Sequence, residues 1–232
     1  MEAMILAAGR GERLRPITDA VPKPLVPIGG RTLIEHHLVR LSAMDVNHVV
    51  INVAYLGEKI MEFLGDGSRF GLKLSYSIES NRALGTAGGI INALDYFKEE
   101  PFLVINSDIF TDCDFSQIQM PDTAKAHLVL APNPAHNPNG DYCLSNNCLV
   151  QHPSSPAQTT VTFTGIGLYR KTMFEALDIE KCELTQVFDQ PIRKGEISGQ
   201  LHQTLWIDVG TVERLAQART WTKTRQERKQ KI

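Results

Sequence analysis

The sequence predicts an α/β protein built on a doubly wound, mostly parallel β-sheet, and two observations carry this prediction. Short apolar runs alternate with segments of helical spacing over roughly the first 120 residues. After that point several strand-like runs follow one another, which indicates a smaller antiparallel lobe. At 232 residues, the chain suits one sizeable domain. We expect this domain over residues 1–222, with a first half of about 1–120, a second half of about 121–222 and a basic tail over 223–232.

In the first half, the spacing of apolar residues defines each element. Near-continuous apolar runs predict buried parallel strands, and alternation predicts a more exposed strand at 72–78. Thr32 begins a helix with a capping box, because Glu35 follows at the required spacing. The predicted strands cover residues 3–8, 46–53, 72–78 and 101–106. The predicted helices cover residues 32–44, 57–64 and 85–97.

In the second half, turn-forming residues separate the predicted strands. Residues 132–140 are rich in Pro and Asn, which indicates a loop, and residues 145–147 predict a hairpin turn. Strands are expected at residues 126–131, 141–144, 148–151, 161–169 and 201–209, and helices at 171–177, 184–194 and 211–222. Pro191 should kink or end the second of these helices. The basic tail is interpreted as a solvated helix end.

The composition argues against several classes of function. Charged residues make up 22% of the chain and the formal net charge is −2, which disfavours a nucleic-acid binder. None of the 4 cysteines forms a CxxC pair or a zinc-finger spacing with histidine. No apolar run approaches the roughly 20 residues of a membrane helix, and the N-terminus lacks a positively charged leader. We therefore expect a cytoplasmic protein with no nucleic-acid or membrane partner.

The N-terminal segment 6–30 joins the first strand to a turn rich in glycine and cations. Gly9 and Gly11 allow a tight turn in which backbone N–H groups approach a ligand without an intervening Cβ. Three arginines follow in this turn, at positions 10, 13 and 15. Lys23 lies between two prolines, which restrict its backbone. Together these features predict a polyphosphate site, whereas a lone Gly-x-Gly would indicate only a basic surface loop.

Two aspartates follow apolar strands in distant parts of the chain. Asp108 comes after Asn106 and Ser107, and Asp208 comes shortly after Trp206 and before a glycine. Ligands of open α/β sheets lie outside the carboxyl ends of the strands, and carboxylates together with phosphate oxygens suit Mg²⁺. The two side chains can therefore share one Mg²⁺. Alternatively, Asp108 caps a turn and Asp208 caps the C-terminal helix.

The segment 79–89 places several glycines at a helix start. Gly85, Gly88 and Gly89 leave room for a base or a ribose to lie against the backbone. Thr86 can cap the helix or hydrogen-bond a ligand. The alternative is a glycine-rich helix start without a ligand.

Taken together, these segments resemble the sugar-phosphate nucleotidyltransferases. The family pattern LAAGxGxRLxPxT followed by PKPL is matched at residues 6–18 and 22–25, and a W-x-D-x-G-T motif is matched at 206–211. The match differs from the Walker P-loop, and also from the GxGxxG dinucleotide fingerprint, because position 14 is leucine. The resemblance implies the Rossmann-like nucleotide-diphospho-sugar transferase fold. It also implies a Mg²⁺-dependent reaction in which a nucleoside triphosphate and a sugar 1-phosphate give a nucleotide sugar and pyrophosphate.

The resemblance further implies a role for individual residues. Arg13 and Lys23 would stabilise the reacting phosphates, and Asp108 and Asp208 would hold Mg²⁺. The nucleotide-binding residues would be Leu6, Ala7, Ala8, Gly9, Gly11, Glu79, Gly85, Thr86 and Gly88. The sugar-binding residues would be Asn106, Gly140, Asp141, Thr164, Gly165 and Trp206. We accordingly call residues 1–120 the nucleotide half and residues 121–222 the sugar half.

Two likenesses within the family point to different substrates. Residues 84–89 resemble mannose-1-phosphate and heptose-1-phosphate guanylyltransferases. Segments at 65–72, 112–115, 127–130, 133–134, 140–141 and 206–215 resemble the N-acetylmuramate α-1-phosphate uridylyltransferases of cell-wall recycling, and this likeness spans nearly the whole chain. The longer likeness departs at 84–86, and Ser107 stands where glycine is usual. It predicts that UTP and N-acetylmuramic acid α-1-phosphate give UDP-N-acetylmuramic acid in peptidoglycan recycling.

Two other classes of function remain as alternatives. A nucleotidyltransferase-like module could sense a nucleotide sugar without turnover, but the presence of Lys23, Asp108 and Asp208 favours catalysis. A nucleotide-hydrolysing enzyme would need a residue that positions an attacking water, and none is evident. The sequence is compatible with a monomer or a small homo-oligomer.

Overall fold

A computed structural model of the chain describes residues 1–79, 84–146, 148–155, 157–175, 177 and 181–229. Within these residues the chain forms strands and helices that alternate in the first half. The strands are β1 Glu2–Leu6, β2 Pro27–Ile28, β3 Arg31–Thr32, β4 His48–Val53, β5 Lys73–Ile78, β6 Phe102–Asn106, β7 Ile109–Thr111, β8 Ala126–Ala131, β9 Cys143–Leu144, β10 Val150–Gln151, β11 Thr162–Tyr169, β12 Ile197–Leu201 and β13 Trp206–Asp208. The α-helices are α1 Ile17–Ala20, α2 Leu33–Ser42, α3 Gly57–Leu64, α4 Gly85–Ala93, α5 Leu184–Arg193 and α6 Val212–Lys229.

A seven-stranded mixed sheet forms the centre of the protein, with the strand order β12-β8-β11-β6-β1-β4-β5. Strands β6, β1, β4 and β5 are parallel, which confirms the predicted parallel sheet of the nucleotide half. Strand β11 runs antiparallel to both β6 and β8, so the sheet changes direction where the sugar half begins. Small antiparallel pairs, such as β9 with β10 and β7 with β13, lie outside this sheet.

The central strands are apolar because the sheet is covered on both faces. Ala3, Met4 and Ile5 of β1 have no exposed surface, and helices pack on either side of them. Helix α2 begins with the predicted capping box: the Glu35 N–H donates to the Thr32 hydroxyl, and the Thr32 N–H donates to the Glu35 carboxylate at 2.8 Å. The start of helix α2 is therefore specified by residues that are close together in the sequence.

Three expectations for the sugar half were wrong in detail. Of the predicted strand 201–209, only β13 and the last residue of β12 are strand, and β12, over Ile197–Leu201, was not predicted. The two lie in different sheets, since β12 pairs in parallel with β8 whereas β13 pairs with β7. Helix α5 continues through Pro191 to Arg193, because the proline lies in the last turn, where little helix remains to be disrupted. Lys171–Met173 forms a 3₁₀ turn in place of the predicted helix over 171–177, part of which lies outside the described residues.

The C-terminal helix begins at Val212 and extends past the predicted end at residue 222, so that Lys223 and Arg225 in the basic tail are exposed helical residues. The boundary of the domain at residue 222 stays a prediction. Among the described helices, none combines the length and the apolar character needed to cross a membrane.

Candidate active site

The turn after β1 closes tightly around Lys23. Gly11 has a φ of 69°, in the left-handed region that favours glycine. A Cβ atom at this position would lie 3.1 Å from the Cβ of Lys23 and equally close to the side chain of Thr18. The Thr18 hydroxyl donates to the Gly11 carbonyl at 2.8 Å, which fixes the turn. Glycine is therefore required here for the segment that carries Lys23 to pack against the turn.

Lys23 and Asp108 form an ion pair between the two motifs that the sequence identified separately. Lys23 is 8% exposed, and its Nζ contacts the Asp108 carboxylate. Ser107, which stands where the family usually has glycine, is buried, and its N–H donates to the carbonyl of Leu6 at the end of β1. The small serine thus fits beside β1 and leaves Asp108 at the carboxyl edge of the sheet.

The pairing of β7 with β13 brings the two predicted metal ligands together. Asp208 stands opposite Ile109, the residue after Asp108, and the Val209 N–H donates to the Asp108 carbonyl at 2.9 Å. These strands are separated by about a hundred positions in the chain, so only the folded backbone can set the spacing of the two aspartates.

The carboxylate of Asp208 lies among cationic side chains. Arg214 donates from Nη2 to Oδ2 at 3.2 Å, and Nε2 of His136 lies 3.7 Å from the same oxygen. A Cβ atom on Gly210 would lie 3.0 Å from both Nη2 of Arg13 and Oδ1 of Asp208, so Arg13 reaches the same place. Burial and the neighbouring Arg214 lower the pKa of His136, while Asp208 opposes this shift.

The donor set fits a hard divalent cation. Oδ1 of Asp208 is buried and has no hydrogen-bond partner among the described residues. In that part of the chain, no group of three or more His, Cys, Asp and Glu side chains converges on a metal position. A cation held by Asp108 and Asp208 would therefore complete its coordination with water and phosphate oxygens, as Mg²⁺ commonly does.

A cavity of about 260 Å³ lies beside β1 and contains most of the predicted nucleotide-binding residues. Its lining comprises Leu6, Ala8, Gly9, Asn52, Glu79, Gly85, Thr86, Asn106 and Glu183. Ala7 points into the core, and Gly11 and Gly88 do not line the cavity. A larger cavity of about 530 Å³, next to Arg40 and Cys113, includes none of the predicted site residues, so its size alone does not make it the site.

Asn52 organises this cavity, although sequence reasoning missed it. Its Oδ1 accepts from the Ala7 N–H at 2.7 Å, and its Nδ2 donates to Glu79 at 2.6 Å. The second carboxylate oxygen of Glu79 accepts from the Leu84 N–H at 2.7 Å. A polar residue at the carboxyl end of a buried strand was the available signal, because the rest of β4 beyond His48 is apolar.

The start of α4 is covered by residues of the sugar half. The N–H groups of Ala87 and Gly88 donate to the Cys182 carbonyl, at 3.0 and 3.2 Å. The Thr86 hydroxyl donates to the Glu183 carboxylate at 2.9 Å. The N–H of Gly88, a predicted nucleotide-binding residue, is therefore already hydrogen-bonded within the chain. Glu183 forms part of the cavity wall, and the sequence did not indicate its contact with Thr86.

The predicted sugar-binding residues fall into two groups. Gly165 and Asn106 touch each other at a bulge in β11: Gly165 has a φ of 79°, and a Cβ there would lie 2.5 Å from Nδ2 of Asn106. Trp206 is joined to this bulge, since its Nε1 donates to the Thr164 carbonyl at 3.0 Å. Of these residues, Asn106 also lines the nucleotide cavity, and Gly165 and Trp206 adjoin it through the bulge.

The remaining sugar-side predictions involve polar groups that are already bonded. The Thr164 hydroxyl donates to the Val129 carbonyl at 2.7 Å within the sheet. Both carboxylate oxygens of Asp141 accept hydrogen bonds, from Asn137 and from the Phe163 N–H. Gly140 lies against Asn133 with a φ of 63°. In this structure the Thr164 and Asp141 side chains therefore hold the sugar half together.

The sequence matches a known protein family over most of its length. The family model described as nucleotidyl transferase matches residues 2–225 of the chain.

The chain belongs to the nucleotidyl transferase family.

Relatives within this family differ in how much of the chain they share. The chain is 45% identical over 224 residues to the N-acetylmuramate alpha-1-phosphate uridylyltransferase of Neisseria meningitidis serogroup B, and the match covers 94% of this chain and 96% of the relative. It is 35% identical to a mannose-1-phosphate guanylyltransferase of Mycobacterium tuberculosis, but over 51% of this chain and 33% of the relative. The fold matches the crystal structure of HddC from Yersinia pseudotuberculosis with a TM-score of 0.79 at 24% identity, covering 94% and 98% of the two chains.

Membership of the nucleotidyl transferase family confirms the predicted class of enzyme and the predicted α/β fold. Enzymes of this family transfer a nucleotidyl group to a sugar 1-phosphate, and they generally use a divalent metal. Lys23, Arg13 and the two aspartates converge at one edge of the sheet beside the cavity. This arrangement can bind a polyphosphate and offset the charge that develops as a phosphate leaves.

Proposed function

We propose that the chain transfers the uridylyl group of UTP to N-acetylmuramic acid α-1-phosphate, giving UDP-N-acetylmuramic acid and pyrophosphate. The observation that carries this proposal is the 45% identity to the Neisseria meningitidis enzyme over nearly the full length of both chains. The reaction would belong to peptidoglycan recycling in the cytoplasm, where UTP is available. A monomer or a small homo-oligomer is compatible with this role.

In the proposed mechanism, a phosphate oxygen of the sugar attacks the α-phosphorus of UTP in line with the leaving group. One P–O bond forms as the bond between the α-phosphorus and the bridging oxygen breaks, and pyrophosphate leaves with that electron pair. The Gly9–Gly11 backbone and Arg13 would bind the leaving phosphates, and Lys23 would offset charge around the α-phosphate. Mg²⁺, when held by Asp108 and Asp208, would supply further neutralisation of the phosphate oxygens.

The nucleotide cavity supports a uridine nucleotide. Each carboxylate oxygen of Glu79 accepts one hydrogen bond within the chain and keeps a lone pair for a base, and the backbone of residues 85–86 lies beside it. The space of about 260 Å³ is small for a ligand pocket. Binding of a purine would need more room next to Leu84. Gly88 and Ala7 would act by shaping the backbone around the nucleotide, since the Gly88 N–H is engaged by Cys182 and the Ala7 N–H by Asn52.

A guanylyltransferase acting on mannose 1-phosphate is the second candidate. Residues 84–89 favour it, and so does the partial match to the Mycobacterium tuberculosis enzyme. That match covers half of the chain, and a mannose-1-phosphate guanyltransferase that matches 90% of the chain is 30% identical to it. The muramate likeness is stronger over a similar span, at 45% identity, and includes the sugar half, where the acceptor would bind. A sensor without turnover is less well supported, because the cationic and acidic groups that the reaction needs are assembled in one place.

Pyrophosphate release tests the proposal. UTP, GTP, CTP and dTTP are each combined with N-acetylmuramic acid α-1-phosphate and with mannose 1-phosphate. We expect kcat/KM with UTP to exceed that with GTP by at least about tenfold, a gap of about 1.4 kcal/mol in transition-state binding. A clear preference for GTP with mannose 1-phosphate would contradict the proposal. The Asp208→Ala variant serves as the control for contaminating activity.

A further inference from the structure

A second cavity, of about 340 Å³, adjoins the predicted sugar contacts and was not used in the proposed mechanism. Trp206 forms one wall, and its indole is bonded to the Thr164 carbonyl beside the Asn106–Gly165 contact. Asp208, two residues further along β13, also lines the cavity. A sugar 1-phosphate whose phosphate lies near Asp208 would therefore have substituents of its ring close to this cavity.

The cavity is lined by hydrogen-bond donors from two elements. His136 comes from the loop between β8 and β9, and Arg214 and Gln217 come from the first turns of α6. Arg214 and Gln217 are three positions apart, so they share one face of the helix. The donors thus approach from a loop and from a helix, as in a site built to orient an anion.

These donors are not satisfied by the single carboxylate that faces them. A guanidinium has five N–H donors, and Arg214 uses Nη2 on Asp208 while its buried Nε has no partner among the described residues. His136 stays 3.7 Å from Asp208, beyond hydrogen-bond distance. Asp208 is also the proposed metal ligand. The Arg214 guanidinium therefore has a donor available for a further acceptor.

We propose that His136, Arg214 and Gln217 form a subsite for a carboxylate carried by the acceptor sugar. This inference rests on the proposed function, because N-acetylmuramic acid differs from N-acetylglucosamine by a lactyl ether that ends in a carboxylate. The same donors could instead bind the phosphate of the acceptor. We assign them to the carboxylate because Lys23 and Arg13 already face the phosphate positions beside Asp108 and Asp208.

The test compares two acceptors that share the phosphate and differ in the carboxylate. KM and kcat are measured with UTP and either N-acetylmuramic acid α-1-phosphate or N-acetylglucosamine α-1-phosphate, for the wild type, His136→Gln and Gln217→Leu. We expect each variant to raise KM for the muramate substrate by about tenfold, the effect of a hydrogen bond to a charged group. KM for the glucosamine substrate should change by less than about twofold.

His152→Gln is the matched control, because His152 is also a partly exposed histidine that contacts an aspartate, at 3.0 Å from Asp189, but lies outside the cavity. If both acceptors are affected equally in the His136 and Gln217 variants, the donors bind phosphate and the carboxylate assignment is wrong. It is also wrong if the variants keep the wild-type preference for the muramate substrate. If the wild type itself does not use that substrate, the proposed function fails first.

Discussion

The nucleotide half and the sugar half use their polar residues in different ways. In the nucleotide half, Asn52, Glu79 and Asn106 come at or just after the carboxyl ends of β4, β5 and β6. All three line one cavity, where Asn52 and Glu79 are hydrogen-bonded to each other. In the sugar half, Thr164 and Asp141 are bonded to the chain outside the lining of that cavity. The carboxyl ends of parallel strands lie at one edge of the sheet. In an antiparallel lobe, the positions of side chains depend on which distant strands pair.

This difference predicts where a substitution changes activity and where it changes stability. The nucleotide half presents a preformed edge, so substitutions there should change catalysis and nucleotide binding. The sugar half contacts that edge at two places, where Glu183 accepts from Thr86 and where Gly165 of the β11 bulge lies against Asn106. Substitutions at its internally bonded residues should change stability instead. The following predictions test this contrast, from the largest expected effect to the smallest.

Loss of either aspartate should have the largest effect. Asp108→Ala and Asp208→Ala are each expected to lower kcat by a factor on the order of 10³, and the double variant should be little worse, because the two act as one unit. The effect on kcat and its dependence on metal are measured as initial rates over a range of Mg²⁺ concentrations. Asp112→Asn is the control, since Asp112 lies at the other end of β7 from Asp108 and contacts His202 and Thr204. An Asp208→Ala variant with normal Mg²⁺ dependence would show that the two carboxylates do not share a metal.

Lys23→Ala should lower kcat by a factor on the order of 10² because the charge acts mainly in the transition state. The lysine is buried against Asp108, so circular dichroism must show that the variant is folded before the rates are compared. Lys59→Ala removes a lysine that donates to the Ala20 carbonyl in an exposed position, and it should be near wild type. Turnover of Lys23→Ala close to the wild-type value would remove this residue from the mechanism.

Asn52→Ala should raise KM for UTP by about tenfold, with KM for the sugar phosphate nearly unchanged. The reason is that Asn52 holds both the Ala7 backbone and Glu79 through buried hydrogen bonds, each worth roughly 1–3 kcal/mol when a partner is left unsatisfied. Asn92→Ala is a suitable comparison, because Asn92 bonds Ser77 away from the cavity. A larger effect on the sugar phosphate than on UTP would contradict the assignment of this cavity.

Thr164→Val should lower the free energy of unfolding by about 1 kcal/mol while kcat and KM stay within about twofold of wild type. Its hydroxyl bonds the Val129 carbonyl inside the sheet. Thr164→Ser, which keeps the hydroxyl, should lose less stability in urea denaturation. If Thr164→Val instead raised KM for the sugar phosphate at unchanged stability, the hydroxyl would contact the sugar and the contrast between the halves would be weaker.

The sequence predicted what is encoded over short distances. The parallel strands, the capping box at Thr32 and the turn around Gly11 depend on neighbouring residues, and the structure reproduces them. The pairing of β7 with β13 could not be foreseen, because an apolar run does not specify its partner. For the same reason residues 201–209 were predicted as one strand. The contact of Glu183 with Thr86 joins segments almost a hundred positions apart and left no local signal.

The position of Asp108 and Asp208 beside the paired strands β7 and β13 also has a thermodynamic consequence. The two carboxylates are held near each other only in the folded chain, so an ion bound by both would stabilise that state by mass action, by about 2.7 kcal/mol at a concentration a hundred times its Kd. The thermal unfolding midpoint should therefore rise with Mg²⁺ concentration in the wild type and remain constant in Asp208→Ala. Heat denaturation would then report metal affinity without any substrate or turnover.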